Sequence, residues 1–381
     1  MDNRNLKRRG GLGLWALGAA PLVKPWLWLL RKNDASKSAP LTVFQSYLVG
    51  DLFMALPALK ILARELDVRV VCRPDCVEIL RAEGLEGIPF ENVFFTRANP
   101  GSFFRTLRRA WKLRGRLGPL ALDFDADPRT AFWLKIAGVR RAVSYARPYA
   151  ILFDGLFPIP LSALHQADKN LAVASGFLER RSLFEANISA PKIPGALSKA
   201  VSSVPLEYNA NPSAPWILSC WTRKDTKNWP LEKWDEFLER MLAARLPFRV
   251  LSAPDGDAAF RAFESRWTGK VEFLKGSLPE VAKAVQASSG IVATDNFIGQ
   301  MASYYGRPLL WVNGSSDPRQ VMPKEPQESN RQHRSQIGLV QVDPMPCRPC
   351  GHRCVNPEYK ACLNRLTVDA VWTAFTGIAR F

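Results

Sequence analysis

The sequence predicts an α/β protein with two doubly wound domains, and three observations carry this prediction. Residues 41–44 form a short apolar strand, and after a short connection residues 58–66 show apolar side chains at helical spacing. A strand that runs directly into a helix is the first unit of a doubly wound sheet. The same succession begins again at Trp216, and a length of 381 residues suits two domains better than one.

Gly50 and Asp51 lie between that first strand and that helix. The glycine is predicted to let the backbone turn sharply and approach a ligand closely. Asp51 would then lie at the carboxyl end of the strand, which is where open parallel sheets bind ligands. From this pair alone two interpretations stay open: Asp51 caps the helix by accepting a backbone N–H, or it takes part in catalysis.

The rest of the first half continues the α/β pattern. Its predicted elements are strands over 68–72, 93–95 and 120–125, and helices over 77–82 and 171–179. A turn-rich stretch over 207–215 follows them. We therefore predict that the first domain spans residues 41–206.

A further helix is predicted over 102–116, with Phe103, Phe104, Leu107 and Trp111 on one apolar face. Its arginine and lysine side chains fall largely elsewhere. This pattern is typical of a surface helix with a solvated basic side. The alternative is a helix that docks the phosphates of an anionic acceptor.

The second α/β pattern is predicted to form a domain over 207–345. Its predicted elements are strands that begin at 216, 248, 290 and 309, helices over 231–244 and 296–303, and a strand end with a helix over 274–285. Residues 346–381 form a cysteine-rich tail, which a final helix over 367–379 closes.

Residues 1–40 differ from both domains. A Trp-rich apolar run with basic residues at both ends is broken by Pro21, Lys24 and Pro25. A membrane-spanning helix would have to bury that lysine and both prolines, which is costly. We predict an interfacial anchor, with Trp and Leu in the headgroup boundary and basic residues on phosphates. One alternative is a cleaved signal peptide, although no clear cleavage site is present. The other alternative is an N-terminal extension without a partner.

The composition restricts the partners and the compartment. Lys and Arg outnumber Asp and Glu by 52 to 35, a net charge of +17 that favours anionic partners such as nucleic acid, phosphorylated glycolipid or an anionic membrane. The chain has seven cysteines, an odd number, and most of them crowd into the tail. This is a poor match to a secreted disulfide framework and favours a reducing compartment.

Three short sequence motifs occur along the chain in a recognisable order. Gly50-Asp51 precedes Pro57-Ala-Leu, Lys227-x-Trp-Pro follows the strand at 216, and Asp295 opens a block that continues to Asp317-Pro318. Together they resemble family 9 of the glycosyltransferases, the bacterial heptosyltransferases of lipopolysaccharide core assembly, over residues 41–375. The resemblance implies the GT-B architecture: two facing Rossmann-like domains with parallel sheets, and a C-terminal helix that crosses back to the first domain.

The resemblance assigns roles in the first domain. Asp51 would be the base that deprotonates the acceptor hydroxyl, and Arg129 would face the acceptor. Asp123 and Asp125 form an Asp-x-Asp pair that holds a metal in other sugar transferases. Because the pair here falls inside a strand-to-helix crossover, we predict no metal role for it.

The donor nucleotide sugar would bind in the second domain. Lys227 would meet its phosphates as a point charge and Thr222 would hydrogen-bond them. A loop that enters a helix with Pro at its first turn is the alternative interpretation of Lys-x-Trp-Pro. Asp255, with Asp257 as fallback, would bind the ribose hydroxyls, unless it lies in a solvated turn.

The most recognisable block would seat a phosphate at a helix N-terminus, with Asp295, Asn296 and Gln300 as donor-binding residues. Here the sequence departs from the family. Phe297 stands where the family has Gly, and Gln300 stands where it has His. Gln donates a hydrogen bond but carries no proton at neutral pH.

The tail has cysteines at metal-ligand spacing, which predicts a possible structural zinc site. These are Cys347, Cys350, Cys354 and Cys362. The alternative is four reduced structural cysteines, which the resemblance favours, because similar tails occur in the family outside its catalysis. No cofactor is expected for catalysis.

The implied function is inverting, metal-independent transfer of a heptose or related sugar. The donor would be an ADP-heptose-like nucleotide sugar and the acceptor a lipopolysaccharide core or another anionic glycolipid. We expect a cytoplasmic enzyme that is peripheral on the bacterial inner membrane, with no nucleic-acid partner. The alternative, motivated by Phe297 and Gln300, is a catalytically degenerate relative that acts as a membrane-associated binding or assembly protein.

Overall fold

The structure of the protein is a computed structural model. It describes residues 39–91, 101–145, 152–158, 165–180, 213–253, 255–324, 337–350 and 353–379. The predicted membrane-interfacial segment and the predicted strand over 93–95 lie outside these residues. The chain divides into two compact units, Met1–Ser202 and Ser203–Phe381.

The first unit is a parallel sheet with helices between its strands. Its strands are β1 (Leu41–Gln45), β2 (Val68–Cys72), β3 (Glu86–Pro89), β4 (Leu120–Asp123), β5 (Arg141–Tyr145) and β6 (Gly155–Phe157). Its helices are α1 (Val49–Glu65), α2 (Val77–Ala82), α3 (Gly101–Lys112), α4 (Pro128–Ile136) and α5 (Gln166–Glu179). The strand order is β3-β2-β1-β4-β5-β6, so that β1 and β4 lie side by side at the centre.

Burial explains why β1 and β4 occupy the centre. Every residue of both strands is buried, as expected for parallel strands covered on both faces. By contrast, β3 lies at the sheet edge and is a short, mostly exposed strand with a glycine and a proline. Its composition is unlike that of a buried strand, which is why the sequence pattern missed it.

The structure corrects the expectation for Gly50. We predicted a sharp glycine turn and a helix over 58–66, but α1 begins at Val49 and includes Gly50, Asp51 and Pro57. The strand-to-helix connection is therefore only residues 46–48. Asp51 still follows the carboxyl end of β1, but as a residue of the first helical turn.

The second unit repeats the design of the first. Its strands are β7 (Trp216–Ser219), β8 (Phe248–Leu251), β9 (Glu272–Leu274), β10 (Gly290–Thr294), β11 (Leu309–Val312) and β12 (Ile337–Val340). Its helices are α6 (Leu231–Ala243), α7 (Ala258–Trp267), α8 (Leu278–Ala287), α9 (Phe297–Tyr304), α10 (Pro318–Val321), α11 (Ala361–Asn364) and α12 (Val368–Ala379). The strand order is β12-β11-β10-β7-β8-β9. It again reverses between the strands that come first and fourth along this part of the chain, β7 and β10, which are neighbours in the sheet.

The C-terminal helix α12 packs in the core of the second unit. Phe375 is fully buried, and its ring lies 4.9 Å from that of Trp216 and 5.6 Å from that of Phe237, measured between centroids. The helix also contacts β11 and β12. The resemblance implied a helix that crosses back to the first domain, whereas the described contacts of α12 stabilise the second sheet.

The outer face of α3 also differs from the prediction. Ala110 and Thr106 are buried, but Phe104 and Trp111 point to solvent together with Arg108. The four apolar residues therefore do not share one buried face.

Within the residues that the structure describes, no helix combines the length and the apolar character needed to cross a bilayer.

Candidate functional site

Both sheets reverse their strand order at one point, and ligands of open α/β sheets bind outside the carboxyl ends of the strands at such a point. In the first unit the point lies between β1 and β4, and in the second between β7 and β10. The residues just after these four strands therefore form two candidate half-sites. We name them the carboxylate half-site of the first unit and the lysine half-site of the second unit.

Asp51 lies in the carboxylate half-site, in the first turn of α1. Its Oδ2 accepts a hydrogen bond from the Leu48 backbone N–H at 3.1 Å. The capping interpretation is thus correct as a structural role. It does not exclude catalysis, because an ionised carboxylate has two oxygens with several lone pairs and the side chain is only partly buried.

Asp125 lies beside this turn, just after β4. The side chain is buried, and its Oδ2 accepts bonds from the backbone N–H and the hydroxyl of Ser46, at 3.1 and 3.0 Å. Its Oδ1 is buried without a hydrogen-bond partner in the described structure. Burial raises the pKa of Asp125 well above its ordinary value, and the charges of Asp123 and Asp51 raise it further. Burial and these neighbouring charges therefore favour the protonated form of Asp125.

Asp123 is the second buried acid of this half-site. Burial raises its pKa to about 7, although the Thr130 hydroxyl donates a hydrogen bond to it and opposes the shift. The backbone then turns at Ala126, which has a φ of 48°. A positive φ at a residue with a side chain is uncommon and costs energy. This turn separates the two buried acids from Asp127.

Arg129, our candidate for acceptor binding, forms an ion pair with Asp127. Its Nε donates to Oδ1 at 2.8 Å, and the Tyr47 hydroxyl donates to Oδ2 of the same carboxylate at 2.8 Å. Burial opposes ionisation of Asp127, but the bonds from Arg129 hold its pKa below the ordinary value. The guanidinium is thus fixed beside the half-site, and its contact with an acceptor stays a prediction.

These opposite pKa shifts predict opposite effects on stability. Asp125 has a raised pKa, so the folded state keeps a proton that the unfolded state releases, and stability falls as pH rises above about 4. Asp125→Asn should remove this cost and raise the free energy of unfolding at pH 8 above that of the wild type. Urea unfolding at pH 5 and pH 8 measures the difference in the free energy of unfolding between the variant and the wild type. This difference should be smaller at pH 5 than at pH 8.

Asp127→Asn is the matched control for that measurement. Its carboxylate has a lowered pKa, so its contribution to stability is present above the unfolded-state value and is lost only in acid. The variant should therefore be less stable than the wild type at pH 8. A loss of the same size at pH 8 for both variants would contradict the assigned difference in charge between Asp125 and Asp127.

The lysine half-site brings together two residues that the sequence placed with the donor. Lys227 ends a short 3₁₀ turn over Asp225–Lys227, and its Nζ lies 2.6 Å from Oδ2 of Asp295. Both side chains are largely buried, with 17% and 9% of their surface exposed. The pair joins the residues after β7 to the start of α9, at the carboxyl edge of the second sheet.

Asn296 and Thr222 fix the backbone of this half-site. Asn296 caps α9 by accepting from the Ile298 backbone N–H at 3.0 Å, and its amide donates to Ser219 Oγ at 2.8 Å. Thr222 exchanges two 2.8 Å hydrogen bonds with the side chain of Asn228, through its own backbone N–H and carbonyl. The loop after β7 is therefore held rigidly beside the N-terminus of α9.

The remaining donor candidates have structural partners. Asp255 is exposed and forms an ion pair with Arg223 from the loop after β7. Asp257 caps α7 by accepting from the Phe260 backbone N–H at 2.9 Å. Gln300 donates from Nε2 to the Val321 carbonyl at 2.6 Å, which ties α9 to the end of α10. Their contacts with a donor stay predictions.

The C-terminal tail supports the turn that carries Lys227. Sequence analysis missed this contact. Asp225 accepts hydrogen bonds from the Tyr359 hydroxyl and from Lys360 Nζ, the latter at 2.8 Å. Trp229 is fully buried and donates from its indole N–H to the Leu366 carbonyl at 3.1 Å. The block Lys-x-Trp-Pro is therefore anchored by residues more than a hundred positions away.

The tail cysteines lie near one another as free thiols. Burial, together with the other tail thiols, raises the pKa of Cys350 to about 11. Cys347 accepts a bond from the Asn356 amide, and Cys354 accepts one from the Lys360 backbone N–H. Among the described residues, no three His, Cys, Asp or Glu side chains are arranged to hold a metal ion. The zinc site therefore stays a prediction from the spacing of Cys347, Cys350, Cys354 and Cys362.

Comparison with known proteins adds to this geometry. No family model matches the sequence. A 150-residue segment is 29% identical to lipopolysaccharide heptosyltransferase 1 of Pseudomonas aeruginosa, and it covers 37% of this chain and 38% of that relative. The matched segment thus spans less than half of the relative's length.

The fold extends the likeness to most of the chain. The Escherichia coli heptosyltransferase WaaC, solved with ADP-2-deoxy-2-fluoro heptose, superimposes with a TM-score of 0.60 and 16% identity over 88% of this chain and 99% of its own. The E. coli ADP-heptose lipopolysaccharide heptosyltransferase II gives 0.62 and 14% over 89% and 98%. A glycosyltransferase family 9 protein of Veillonella parvula gives 0.62 and 13% over 91% and 99%.

This chain has the fold of the heptosyltransferases. The predicted resemblance and the predicted GT-B fold are both confirmed. In this chain, Asp51 and Lys227 each lie at the switch point of a six-stranded sheet. The buried acid beside Asp51 was not predicted as part of the site, and its only sequence signal was the Asp-x-Asp spacing at the end of a strand.

Proposed function

We propose that this protein is an inverting, metal-independent glycosyltransferase. It would transfer a heptose or related sugar from an ADP-heptose-like nucleotide sugar to a lipopolysaccharide core acceptor. The observation that carries the proposal is the likeness in fold over about nine-tenths of the chain to heptosyltransferases, of which WaaC was solved with ADP and with an ADP-heptose analogue. The geometry of the two half-sites supports it.

In the carboxylate half-site, Asp51 takes the proton of the acceptor hydroxyl as that oxygen attacks the anomeric carbon. One oxygen of its carboxylate accepts the Leu48 N–H, which fixes the side chain. Burial of the neighbouring Asp125 raises its pKa and favours its protonated form, which lowers the negative charge beside Asp51.

In the lysine half-site, Lys227 stabilises the departing nucleoside diphosphate. An ammonium group has three donors, so it can keep its contact with Asp295 while it binds a phosphate oxygen. The first backbone N–H groups of α9 and the helix dipole favour the same negative charge. These groups supply the positive potential that other sugar transferases obtain from a divalent cation.

The surface charge and the N-terminal segment support a site of action at a membrane. The acceptor class is a lipid-linked, phosphorylated saccharide, and the net charge of +17 favours an anionic lipid surface. We propose that the protein is peripheral on the cytoplasmic face of the inner membrane. The Trp-rich segment within residues 1–40 would contribute an interfacial anchor.

Deleting residues 1–38 tests that anchor. The truncated chain should bind membranes more weakly than the full-length chain, because it loses the Trp-rich run and its basic flanks. Transfer to a detergent-solubilised acceptor should survive, since both half-sites lie after residue 40. Sedimentation with anionic vesicles at low salt gives the partition. A full-length chain that stays in the supernatant under these conditions would rule the anchor out.

The function itself is tested with a panel of nucleotide sugars and of lipopolysaccharides truncated at successive core positions. Mass spectrometry should detect one added sugar for one donor and acceptor pair, with and without EDTA. Activity that disappears with EDTA and returns with a divalent cation would contradict metal independence. Absence of transfer together with absence of nucleotide-sugar binding would contradict the function.

A further inference from the structure

The outer face of α3 exposes two large aromatic side chains, of which Phe104 contacts the ring of Phe103 edge to face at 5.6 Å between centroids. Phe104 has 68% of its surface exposed and Trp111 has 52%, which are unusual values for large apolar residues. They are seven positions apart in α3 and therefore lie on nearly the same line along the helix. The core of the first unit does not depend on them for its packing.

The opposite face of α3 is firmly packed, so the exposed face has a fixed orientation in its unit. Thr106 and Ala110 are fully buried. The Phe103 ring lies 5.5 Å from that of Trp133 and 6.2 Å from that of Phe132, both on α4. The aromatic pair is thus presented by a helix that the unit holds in place.

Basic side chains surround the two aromatic rings. Arg105, Arg108 and Lys112 are exposed, and the helix contains no acidic residue. The guanidinium of Arg114 stands 4.4 Å from the centre of the Trp111 ring. The face thus combines aromatic side chains with a surplus of positive charge.

This combination fits an anionic lipid surface better than the other partners we considered. Trp and Phe enter the boundary between headgroups and acyl chains, while Arg and Lys bind the phosphates above it. A nucleic-acid duplex would use the charges but not the rings, and a single strand stacks its bases on rings that line a basic groove, which an isolated convex helix does not form.

We propose that α3 docks the first unit on an anionic membrane, with Phe104 and Trp111 inserted and Arg105, Arg108 and Lys112 on lipid phosphates. The inference rests on the proposed function, since it places the unit that carries Asp51 at the surface where a lipid-linked acceptor resides. It adds a second lipid contact to the one proposed for the N-terminal segment.

The test uses the full-length chain and vesicles of phosphatidylglycerol mixed with phosphatidylcholine. The double variant Phe104→Ser, Trp111→Ser should bind these vesicles at least tenfold more weakly than the wild type. The matched control is Leu242→Ser, which removes an exposed apolar residue of α6 in the second unit and should bind normally. Pure phosphatidylcholine vesicles should bind the wild type less tightly than the anionic ones, and equal binding would contradict the role of the charges.

A second measurement separates α3 from the N-terminal segment. A photoreactive benzophenone side chain placed at Trp111 should form adducts with lipid on illumination, whereas the same group at Leu242 should not. A chain that sediments with the vesicles and forms no lipid adduct at position 111 would overturn the proposal. In native membranes, adducts with protein in place of lipid would indicate that this face binds another protein and would likewise overturn it.

Transfer to a lipid-free core oligosaccharide distinguishes failure of this inference from failure of the function. The double variant should keep wild-type transfer to that soluble acceptor and lose transfer to vesicle-embedded acceptor. If no chain transfers sugar to either acceptor, the proposed function is wrong while the lipid adduct at position 111 still reports the docking surface.

Discussion

Asp51→Asn is expected to lower the turnover of sugar transfer by a hundredfold or more and to leave the fold unchanged. The amide oxygen of Asn still accepts the Leu48 backbone N–H, so the cap of α1 is kept. The amide is not a base at neutral pH, so the acceptor hydroxyl keeps its proton until later in the reaction. Turnover with saturating donor and acceptor measures the effect, and the free energy of unfolding checks the fold.

The chain offers a matched control for that variant. Glu280 lies in the first turn of α8 and accepts the Ser277 backbone N–H at 2.7 Å, which repeats the capping role of Asp51 on a different helix. Glu280→Gln should leave turnover unchanged. If Asp51→Asn and Glu280→Gln have equally small effects, Asp51 is only a cap and the carboxylate half-site lacks its proposed base.

Lys227→Ala is expected to weaken binding of the diphosphate nucleotide by roughly 10- to 150-fold. This corresponds to about 1.5–3 kcal/mol, the range for a hydrogen bond to a charged group. The nucleotide without its sugar should show most of the loss, because the proposed contact is to phosphate. Calorimetric titration at low salt gives the two affinities. Lys227→Arg should restore binding only in part, since its planar fork differs from a point charge.

A second variant guards against a purely structural effect. Lys227→Ala leaves the largely buried Asp295 without its cation, which by itself destabilises the unit. The double variant Lys227→Ala, Asp295→Asn removes that stranded charge and should recover stability but not nucleotide affinity. Recovery of affinity in the double variant would show that Lys227 only neutralises Asp295.

Much of the fold was predictable because its central strands are apolar runs bounded by clear turns. The predicted strands over 68–72 and 216–219 have the observed bounds, and the helix after Pro230 ends within one residue of its prediction. The edge strand β3 was not predictable in this way, because an exposed strand needs no apolar residues. The start of α1 at Val49 was missed because Gly50 and Pro57 both argue against a helix locally, and packing of the buried face overrides them.

The candidate site was predictable one residue at a time, but its pairings were not. Lys227 and Asp295 were each assigned to the donor from separate motifs, and the ion pair exists because β7 and β10 are neighbours in the sheet. The raised pKa of Asp125 depends on burial and on the charge of Asp123, and it is opposed by hydrogen bonds from Ser46, 79 positions away in the chain. The burial of Asp125 and its contact with Ser46 are not visible in a sequence pattern, whereas the strand order reveals both.

We propose that Lys227 and Asp51 serve transfer of a sugar from a nucleoside diphosphate. The most direct measurement is the product formed from ADP-heptose and lipopolysaccharide truncated before its first heptose, with EDTA present. We expect one added heptose whose anomeric configuration is opposite to that in the donor, formed by the wild type and nearly absent with Asp51→Asn. A product with the donor's configuration would rule out inversion, and equal product from both chains would rule out Asp51 as the base.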